Sequence, residues 1–256
     1  MTVDTAGAMV VAQYSGGAAS HVACMRVKPD VLLFADTGEE HPSLYEAIEA
    51  GSEALGVPLV KVGVEGGMDA VIDIDRAIPS SMLPFCSRDL KIAPCLAWLK
   101  ENAPAATLVI GYTWDEVNRI PSTRDNYAKH GFACVFPLTE KPYLNKREIV
   151  EIYHRHVPVQ ALYEANLPHN NCGGACVKAG ISQWKWVLEN DPERFARWEA
   201  REQRISDLHG KPCSILKRYD KPYPLKKLRS DVESQCVLPL DEWGGCGCFS
   251  EGLKSA

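Results

Sequence analysis

Six residues near the amino terminus have the types and spacing of a phosphate-binding loop. They follow a short apolar segment that ends in Tyr14, and they are Ser15, Gly16, Gly17, Ala18, Ala19 and Ser20. Glycine lets the backbone approach an anion closely, and a helix that begins at such a loop directs its free amide groups at the same point. Serine hydroxyls can donate further hydrogen bonds to phosphate oxygens. We predict that this SGG loop (residues 15–20) and Tyr14 bind phosphate; the alternative is an ordinary strand-to-helix turn.

The cysteines offer a second kind of chemistry. Of the ten, Cys172 and Cys176 are separated by three residues in a glycine-rich cysteine loop (residues 170–176), and Cys246 and Cys248 lie in a second glycine-rich segment. Thiolates from two such loops complete the ligand set of an iron–sulfur cluster or of zinc. We predict a [4Fe-4S] cluster on these four cysteines, with zinc, or thiols that hold no metal, as the alternatives.

The composition limits the other function classes. The chain has 256 residues, a net charge of −5 and 46% apolar residues, so it can bury a sizeable core but lacks an overall basic surface for nucleic acid. Because we find neither a transmembrane run nor a secretion signal, we expect a cytoplasmic protein that does not enter membranes. Clustered cysteines in a reducing compartment indicate metal or redox chemistry rather than disulfides.

Alternating apolar and amphipathic segments must position these loops, and they predict a parallel sheet with helices on both faces. The predicted strands are residues 9–14, 31–35, 57–62, 107–112 and 132–136. The predicted helices are residues 21–27, 43–55, 86–100, 146–154 and 181–208, the last with a break near 191–192. Ser43 is the predicted N-cap of the second helix, with Glu46 completing a capping box. Ligands bind beyond the carboxyl ends of parallel strands, so the loops after the strands should form one site.

The sequence changes character near residue 166. We predict an α/β nucleotide-binding domain over residues 1–165 and a Cys-rich, partly helical region over residues 166–256. We predict that the tryptophans of this second region, Trp184, Trp186 and Trp198, are core residues rather than stacking platforms for bases. Its basic residues are a solvated surface or a contact for a nucleic-acid backbone; they are Lys217, Arg218, Lys221, Lys226, Lys227 and Arg229.

Four segments, in order, resemble one protein superfamily. The SGG loop resembles the SGGxxS loop of the adenine nucleotide alpha-hydrolases, which include the N-type ATP pyrophosphatases, the PAPS reductases and the tRNA and DNA thiolation enzymes. The DTG loop (residues 36–42), residues 85–94 and the strand-4 loop (residues 111–119) resemble segments of the PAPS reductase branch. The resemblance implies a Rossmann-like three-layer α/β sandwich that binds ATP or PAPS through Tyr14, the SGG loop, Asp36, Thr37, Gly38, Gly111 and Arg119.

The SGG loop departs from the pattern of the ATP pyrophosphatases. Ala18 and Ala19 stand where those enzymes usually have lysine and aspartate. A Mg²⁺ ligand would then come from another acidic residue, with Asp36, Glu39, Asp115 and Glu116 as the candidates. Positive charge for the phosphates would come from Arg88, Lys91 and Arg119. For Arg88 and Lys91, whose spacing places them on one side of a helix, the alternative is a solvated helix face.

The resemblance implies sulfur chemistry. Our leading prediction is an enzyme that adenylates an acceptor and inserts sulfur, with Asp36, Arg88, Lys91, Cys246 and Cys248 as its catalytic residues. The acceptor would be tRNA, DNA or a small molecule; a sulfur or electron donor protein and a homodimer are further expectations. Residues 168–180 and 242–249 also resemble a subgroup of phage and bacterial PAPS-reductase-like proteins. The alternatives are a PAPS or APS reductase, although the E-C-G-x-H ending of those enzymes is missing, and a degenerate nucleotide-binding protein.

Overall fold

The computed structural model describes residues 7–167 and 170–234, and its centre is a five-stranded parallel sheet. The strand order is β3-β2-β1-β4-β5. The strands are β1 (Val10–Gln13), β2 (Val31–Asp36), β3 (Leu59–Gly63), β4 (Thr107–Val109) and β5 (Ala133–Val135). β1 and β2 are almost continuously apolar because helices cover both faces of the sheet. The predicted α/β fold with a parallel sheet is therefore confirmed.

The helices form a layer on each face of this sheet. Successive side chains of β1 alternate between two core clusters, so that Val11 packs under the helices of one layer while Ala12 packs under those of the other. The helices are α1 (Ala18–Val27), α2 (Pro42–Leu55), α3 (Gly67–Asp75), α4 (Phe85–Ser87), α5 (Ala93–Asn102), α6 (Ile120–Ala128), α7 (Lys146–Tyr153), α8 (Ala161–Glu164), α9 (Ile181–Asn190), α10 (Pro192–His209) and α11 (Leu225–Glu233). In the described part of the chain, none of them is long and apolar enough to cross a bilayer.

The helices that follow the cysteine loop share a third core cluster with α3 and α4. An antiparallel hairpin, β6 (Leu216–Arg218) and β7 (Lys221–Tyr223), packs there as well. Trp184 and Trp198 are fully buried in this cluster, edge to face with ring centroids 6.0 Å apart, and Trp186 packs beside them. These tryptophans are core residues, as predicted, whereas the boundary at residues 165/166 stays a prediction.

The start of α2 differs from the sequence-based expectation. His41, rather than Ser43, is the N-cap, because Pro42 occupies the first helical position and His41 Nδ1 accepts the Ser43 amide at 3.1 Å. The predicted capping box of Ser43 and Glu46 is therefore wrong. The Ser43 hydroxyl instead accepts the amide of Ala161 at 3.1 Å.

The predicted helix over residues 86–100 is interrupted. Between α4 and α5 the chain forms a π-helical turn, Arg88–Ile92, of the kind that often marks functional sites. Lys91 is buried in this turn while Arg88 is exposed. The expectation that these two cations share one side of a regular helix is wrong, because the π-turn changes the angular spacing of its side chains.

Candidate functional site

The two loops that follow the central strands meet at a crevice of the sheet. The order β3-β2-β1-β4-β5 places a topological switch point between β1 and β4, where ligands of such sheets bind. A Cβ atom on Gly111, after β4, would lie 2.7 Å from Cα and 2.8 Å from N of Ser20. Only glycine permits this approach. The SGG loop and the strand-4 loop are therefore packed together.

The SGG loop presents a helix N-terminus to this crevice. Gly16 has a φ of 72°, and a Cβ there would lie 2.6 Å from Ile48 Cγ1 and 2.7 Å from Leu44 Cδ1. Gly17 is the N-cap of α1, which has no side-chain cap in the described part of the chain. The Ser20 hydroxyl donates to the Gly17 carbonyl at 2.8 Å and lies 3.3 Å from that of Ser15. The first amides of α1 are thus left for an external acceptor, for which an anion is well suited.

The residues that flank the SGG loop on its inner side belong to the protein core. Tyr14 is buried, and its hydroxyl lies 3.0 Å from Nδ1 of buried His21. Burial lowers the pKa of His21 to about 4, so this histidine is neutral at physiological pH. The Tyr14 side chain therefore supports the loop from within the core.

The DTG loop is fixed by its own side chains. Asp36 Oδ1 accepts the Gly38 amide at 2.9 Å and the Tyr45 hydroxyl at 2.7 Å, and it remains partly exposed. The Thr37 hydroxyl donates to Glu40 at 3.2 Å. Glu39, a candidate Mg²⁺ ligand from the sequence, is buried and paired with Arg201 at 2.8 Å. Asp36 is consequently the better-placed metal ligand of this loop.

The strand-4 loop combines an aromatic ring, a cation and two carboxylates. The Arg119 guanidinium lies 4.2 Å from the centroid of the Tyr112 ring and is paired with Glu116. Asp115 accepts the Thr113 hydroxyl at 2.5 Å, and Glu116 completes a capping box with Thr113. Asp115 remains exposed, so it is the freer of the two predicted carboxylates.

Glu40 connects the DTG loop to the cysteine loop, a contact that the sequence did not indicate. Its carboxylate accepts the Cys172 amide at 2.7 Å and lies 3.5 Å from Lys91 Nζ. Arg194 of α10 donates to the Glu39 carbonyl at 2.5 Å and packs against Gly173. The cysteine loop is thus attached to the carboxyl edge of the sheet, next to the DTG loop.

A narrow cavity between these parts is lined by three thiols. Its wall includes Cys172 and Cys176, two of the predicted metal ligands, and also Cys86, which was not among them. The rest of the wall is formed by the polar and basic residues Thr37, Ser87, Lys91 and Lys178 and by the apolar residues Met68, Leu90, Val177 and Trp198. Cys86 precedes the π-helical turn that turns Lys91 inward, and this juxtaposition could not be found from spacing alone.

The thiols do not by themselves form a metal site. The free volume of the cavity is about 10 Å³, room for about one water. Within residues 7–167 and 170–234, no three His, Cys, Asp or Glu side chains converge closely enough to hold a metal ion. Cys246 and Cys248, the other two predicted ligands, lie outside the described residues, so a metal or cluster would require them or a movement of the loop.

Other predicted residues lie away from this cavity. Arg88 pairs with Asp75 and Asp89 on the surface, which favours the solvated helix face over a phosphate contact. The basic stretch is partly neutralised, because Arg218 and Lys227 pair with Asp231. Arg229 pairs with Glu199 at 2.8 Å. These pairs reduce the charge available to a nucleic-acid backbone.

No protein-family model matches the chain, and no curated protein is similar to it in sequence. The resemblance to the PAPS reductase branch therefore rests on the four motifs. The structure adds the positions of those motifs, at the carboxyl edge of one parallel sheet.

Proposed function

We propose that this protein is an adenine-nucleotide-dependent sulfur-transfer enzyme with ATP on the SGG loop. The observation that carries the proposal is that the SGG loop and the cysteine loop, which suit different chemistry, lie at the same edge of the sheet. A helix N-terminus with unused amides lies at the switch point of the sheet, and a thiol-lined cavity adjoins the neighbouring DTG loop through the contact of Glu40 with the Cys172 amide. Phosphate binding and sulfur chemistry are the functions that these two arrangements suit.

The reaction has two displacements. A carbonyl oxygen of the acceptor attacks the α-phosphorus of ATP, and pyrophosphate leaves. Hydrosulfide from the sulfur donor then attacks the adenylated carbon, and AMP leaves with the former carbonyl oxygen, so that a C=S group replaces the C=O group. Thiolate sulfur is a far better nucleophile than water at neutral pH, which is the reason for thiols beside a nucleotide site.

The residues divide between these steps. The amides of the SGG loop would hold the phosphates, Arg119 would add positive charge, and Asp36 or Asp115 would bind Mg²⁺. Cys172, Cys176 and Cys86, together with Cys246 or Cys248, would hold a [4Fe-4S] cluster, with zinc as the alternative. A cluster would supply a site for the transferred sulfur. A tRNA, DNA or small-molecule acceptor fits the proposal equally.

A sulfonucleotide reductase is the second candidate, and a specific observation favours it. The first turn of α1 has no acidic residue, and Ala18 and Ala19 occupy the positions at which ATP pyrophosphatases bind metal and phosphate. PAPS or APS would then occupy the same crevice, and a cysteine thiolate would attack its sulfur. A protein that binds ATP without turnover is the third candidate, for the same reason.

Nucleotide turnover tests these candidates. Pyrophosphate release from ATP with Mg²⁺ supports sulfur transfer, and sulfite release from PAPS with a thiol reductant supports the reductase. The double variant Ser15→Ala/Ser20→Ala should weaken nucleotide binding about tenfold, because it removes the hydroxyl that can donate to a phosphate from Ser15 and the Ser20 hydroxyl that fixes the loop through the Gly17 carbonyl. Cys213→Ser, outside the thiol-lined cavity, is the matched control for Cys172→Ser and Cys176→Ser, which should abolish turnover. Failure to bind either nucleotide would overturn the proposal.

The metal is tested separately. Anaerobically purified protein should be brown, absorb near 400 nm and contain about four irons per chain if a [4Fe-4S] cluster is present. Zinc without colour supports the zinc alternative. A colourless protein that contains neither metal would contradict a cluster but leave nucleotide turnover to be judged by its own assay.

A further inference from the structure

Three buried side chains connect the SGG loop to the cysteine loop. The carbonyl of Gly16 accepts hydrogen bonds from the Tyr153 hydroxyl at 2.6 Å and from Gln160 Nε2 at 2.8 Å. Gln160 Oε1 accepts from Asn170 Nδ2 at 2.5 Å. Asn170 is the residue from which the 3₁₀ turn Asn171–Gly174, which contains Cys172, begins. A continuous hydrogen-bonded path thus runs from the phosphate-binding loop to the loop of thiols.

Gln160 has the chemistry that this path requires. It is fully buried, and its amide side chain can donate to one loop through the nitrogen while it accepts from the other through the oxygen. Its neighbour Ala161 donates its amide to Ser43, which contacts His41 at the end of the DTG loop. The segment at residues 160–161 is therefore in contact with both loops assigned to the nucleotide.

The Gly16 end of the path is stiff. Its left-handed backbone is enclosed by Leu44 and Ile48, so a phosphate that draws on the amides of the SGG loop cannot shift Gly16 without shifting its partners. The other end has spare capacity: Asn170 Oδ1 is buried without a hydrogen-bond partner among the described residues. An unpaired buried acceptor is costly, so a rearrangement that gives Asn170 Oδ1 a donor would be favoured.

We propose that Gln160 is a positioning residue that couples nucleotide occupancy of the SGG loop to the geometry of the cysteine loop. The inference rests on the proposed nucleotide site and adds to it a means of ordering the thiols when the nucleotide is bound. The coupling is reciprocal, so ordering of the cysteine loop also tightens nucleotide binding.

Hydrogen–deuterium exchange of the peptide that contains residues 170–176 measures this coupling, with or without a bound metal. In the wild-type protein, saturating ATP with Mg²⁺, or PAPS, should slow exchange in this peptide about fivefold. Gln160→Met preserves the side-chain length but removes all three hydrogen bonds of the amide, those with Gly16, Tyr153 and Asn170. It should weaken nucleotide binding by no more than about fivefold, because Tyr153 still holds Gly16 and only the coupling is lost, and it should abolish the nucleotide-dependent change.

Gln183→Met is the matched control. Gln183 is also fully buried and donates to the Gly174 carbonyl at 2.6 Å, yet it supports the cysteine loop from the opposite side, in α9. This variant should raise basal exchange but retain the nucleotide-dependent ratio. Retention of the ratio in Gln160→Met would overturn the coupling, because direct shielding by the nucleotide would then explain the effect.

The two proposals fail in different ways. Binding of neither ATP nor PAPS by the wild-type protein, measured by calorimetry, overturns the proposed nucleotide site. Binding without any change of exchange in residues 170–176 overturns the coupling alone.

Discussion

The SGG loop and the cysteine loop are both glycine-rich, but they are built in opposite ways. The SGG loop is a local structure in which a strand, a turn and a helix follow one another, and the helix leaves its first amides for an external acceptor. The backbone groups of the cysteine loop instead pair with buried side chains from other parts of the chain. Its Cys172 amide donates to Glu40, 132 residues away, and its Gly174 carbonyl accepts from Gln183. One loop begins a helix without a side-chain cap, and the other is held in place by side chains from distant parts of the chain.

The two loops also differ in where they place backbone strain. In the SGG loop the left-handed conformation falls on Gly16, which tolerates it. In the cysteine loop it falls on Cys172 as well as on Gly173, with φ values of 50° and 57°. A left-handed non-glycine residue costs roughly 1 kcal/mol or more. The fold tolerates this cost at a thiol that lines the cavity, which agrees with a functional role for that thiol.

The largest predicted effect concerns the packing of the SGG loop against β4. In Gly111→Ala the new methyl group would overlap the backbone of Ser20, so we expect the free energy of unfolding to fall by about 3 kcal/mol. Gly17→Ala is the matched control, since its Cβ would meet the Ser15 hydroxyl at 3.5 Å and the Tyr163 hydroxyl at 3.9 Å, both ordinary van der Waals distances. It should cost less than about 1 kcal/mol. Urea unfolding measures both, and equal losses would show that the contact with Ser20 is not tight.

The contrast between the loops explains how much of the site the sequence could reveal. The SGG loop and its position after β1 follow from local signals, namely an apolar run, two glycines and a helix. The meeting of this loop with Gly111 follows from the rule for parallel sheets. The contacts of the cysteine loop do not, because Glu40, Gln160 and Arg194 are polar residues without a local pattern that names their partners.

Errors of detail have the same origin. Ser43 has the sequence signature of an N-cap, but Pro42 fits the first helical position better and moves the cap to His41. The π-helical turn at Arg88–Ile92 disrupts a pattern that reads as one regular helix, and it brings Lys91 and Cys86 to the cavity. Such tertiary choices cannot be derived from periodicity.

The second prediction is that the stability of the fold depends on pH through His21, in the helix that follows the SGG loop. His21 has a pKa lowered to about 4 by burial, against 6.5 in an unfolded chain. Between these two values the unfolded state binds more protons than the folded state. The contribution of neutral His21 to the free energy of unfolding is therefore complete above pH 6.5 and is lost as the pH falls towards 4. We expect a loss of about 1 to 2 kcal/mol between pH 7 and pH 5.

His21→Gln is the variant that tests this assignment. It keeps a polar partner for Tyr14 but cannot titrate, so the difference in unfolding free energy between pH 7 and pH 5 should shrink by that amount. His130→Gln, at a partly exposed position far along the chain from the loop, should leave the difference unchanged. An unchanged pH dependence in His21→Gln would place the acid-sensitive group elsewhere.

The smallest predicted effect bears on the strain at the cysteine loop. Cys172→Gly removes both the thiol and the left-handed strain, whereas Cys172→Ala removes only the thiol. Although glycine usually destabilises relative to alanine, we expect Cys172→Gly to be more stable than Cys172→Ala by about 1 kcal/mol. Cys176 is not among the described residues with positive φ, so the same pair of substitutions there should give the opposite sign. If the stability difference between the glycine and alanine variants had the same sign at both positions, backbone strain at Cys172 would be contradicted. Opposite signs at Cys172 and Cys176 would show that Cys172 is held in an unfavourable backbone conformation, which glycine would relieve. Such a conformation is expected of a thiol that is retained for its chemistry rather than for the fold.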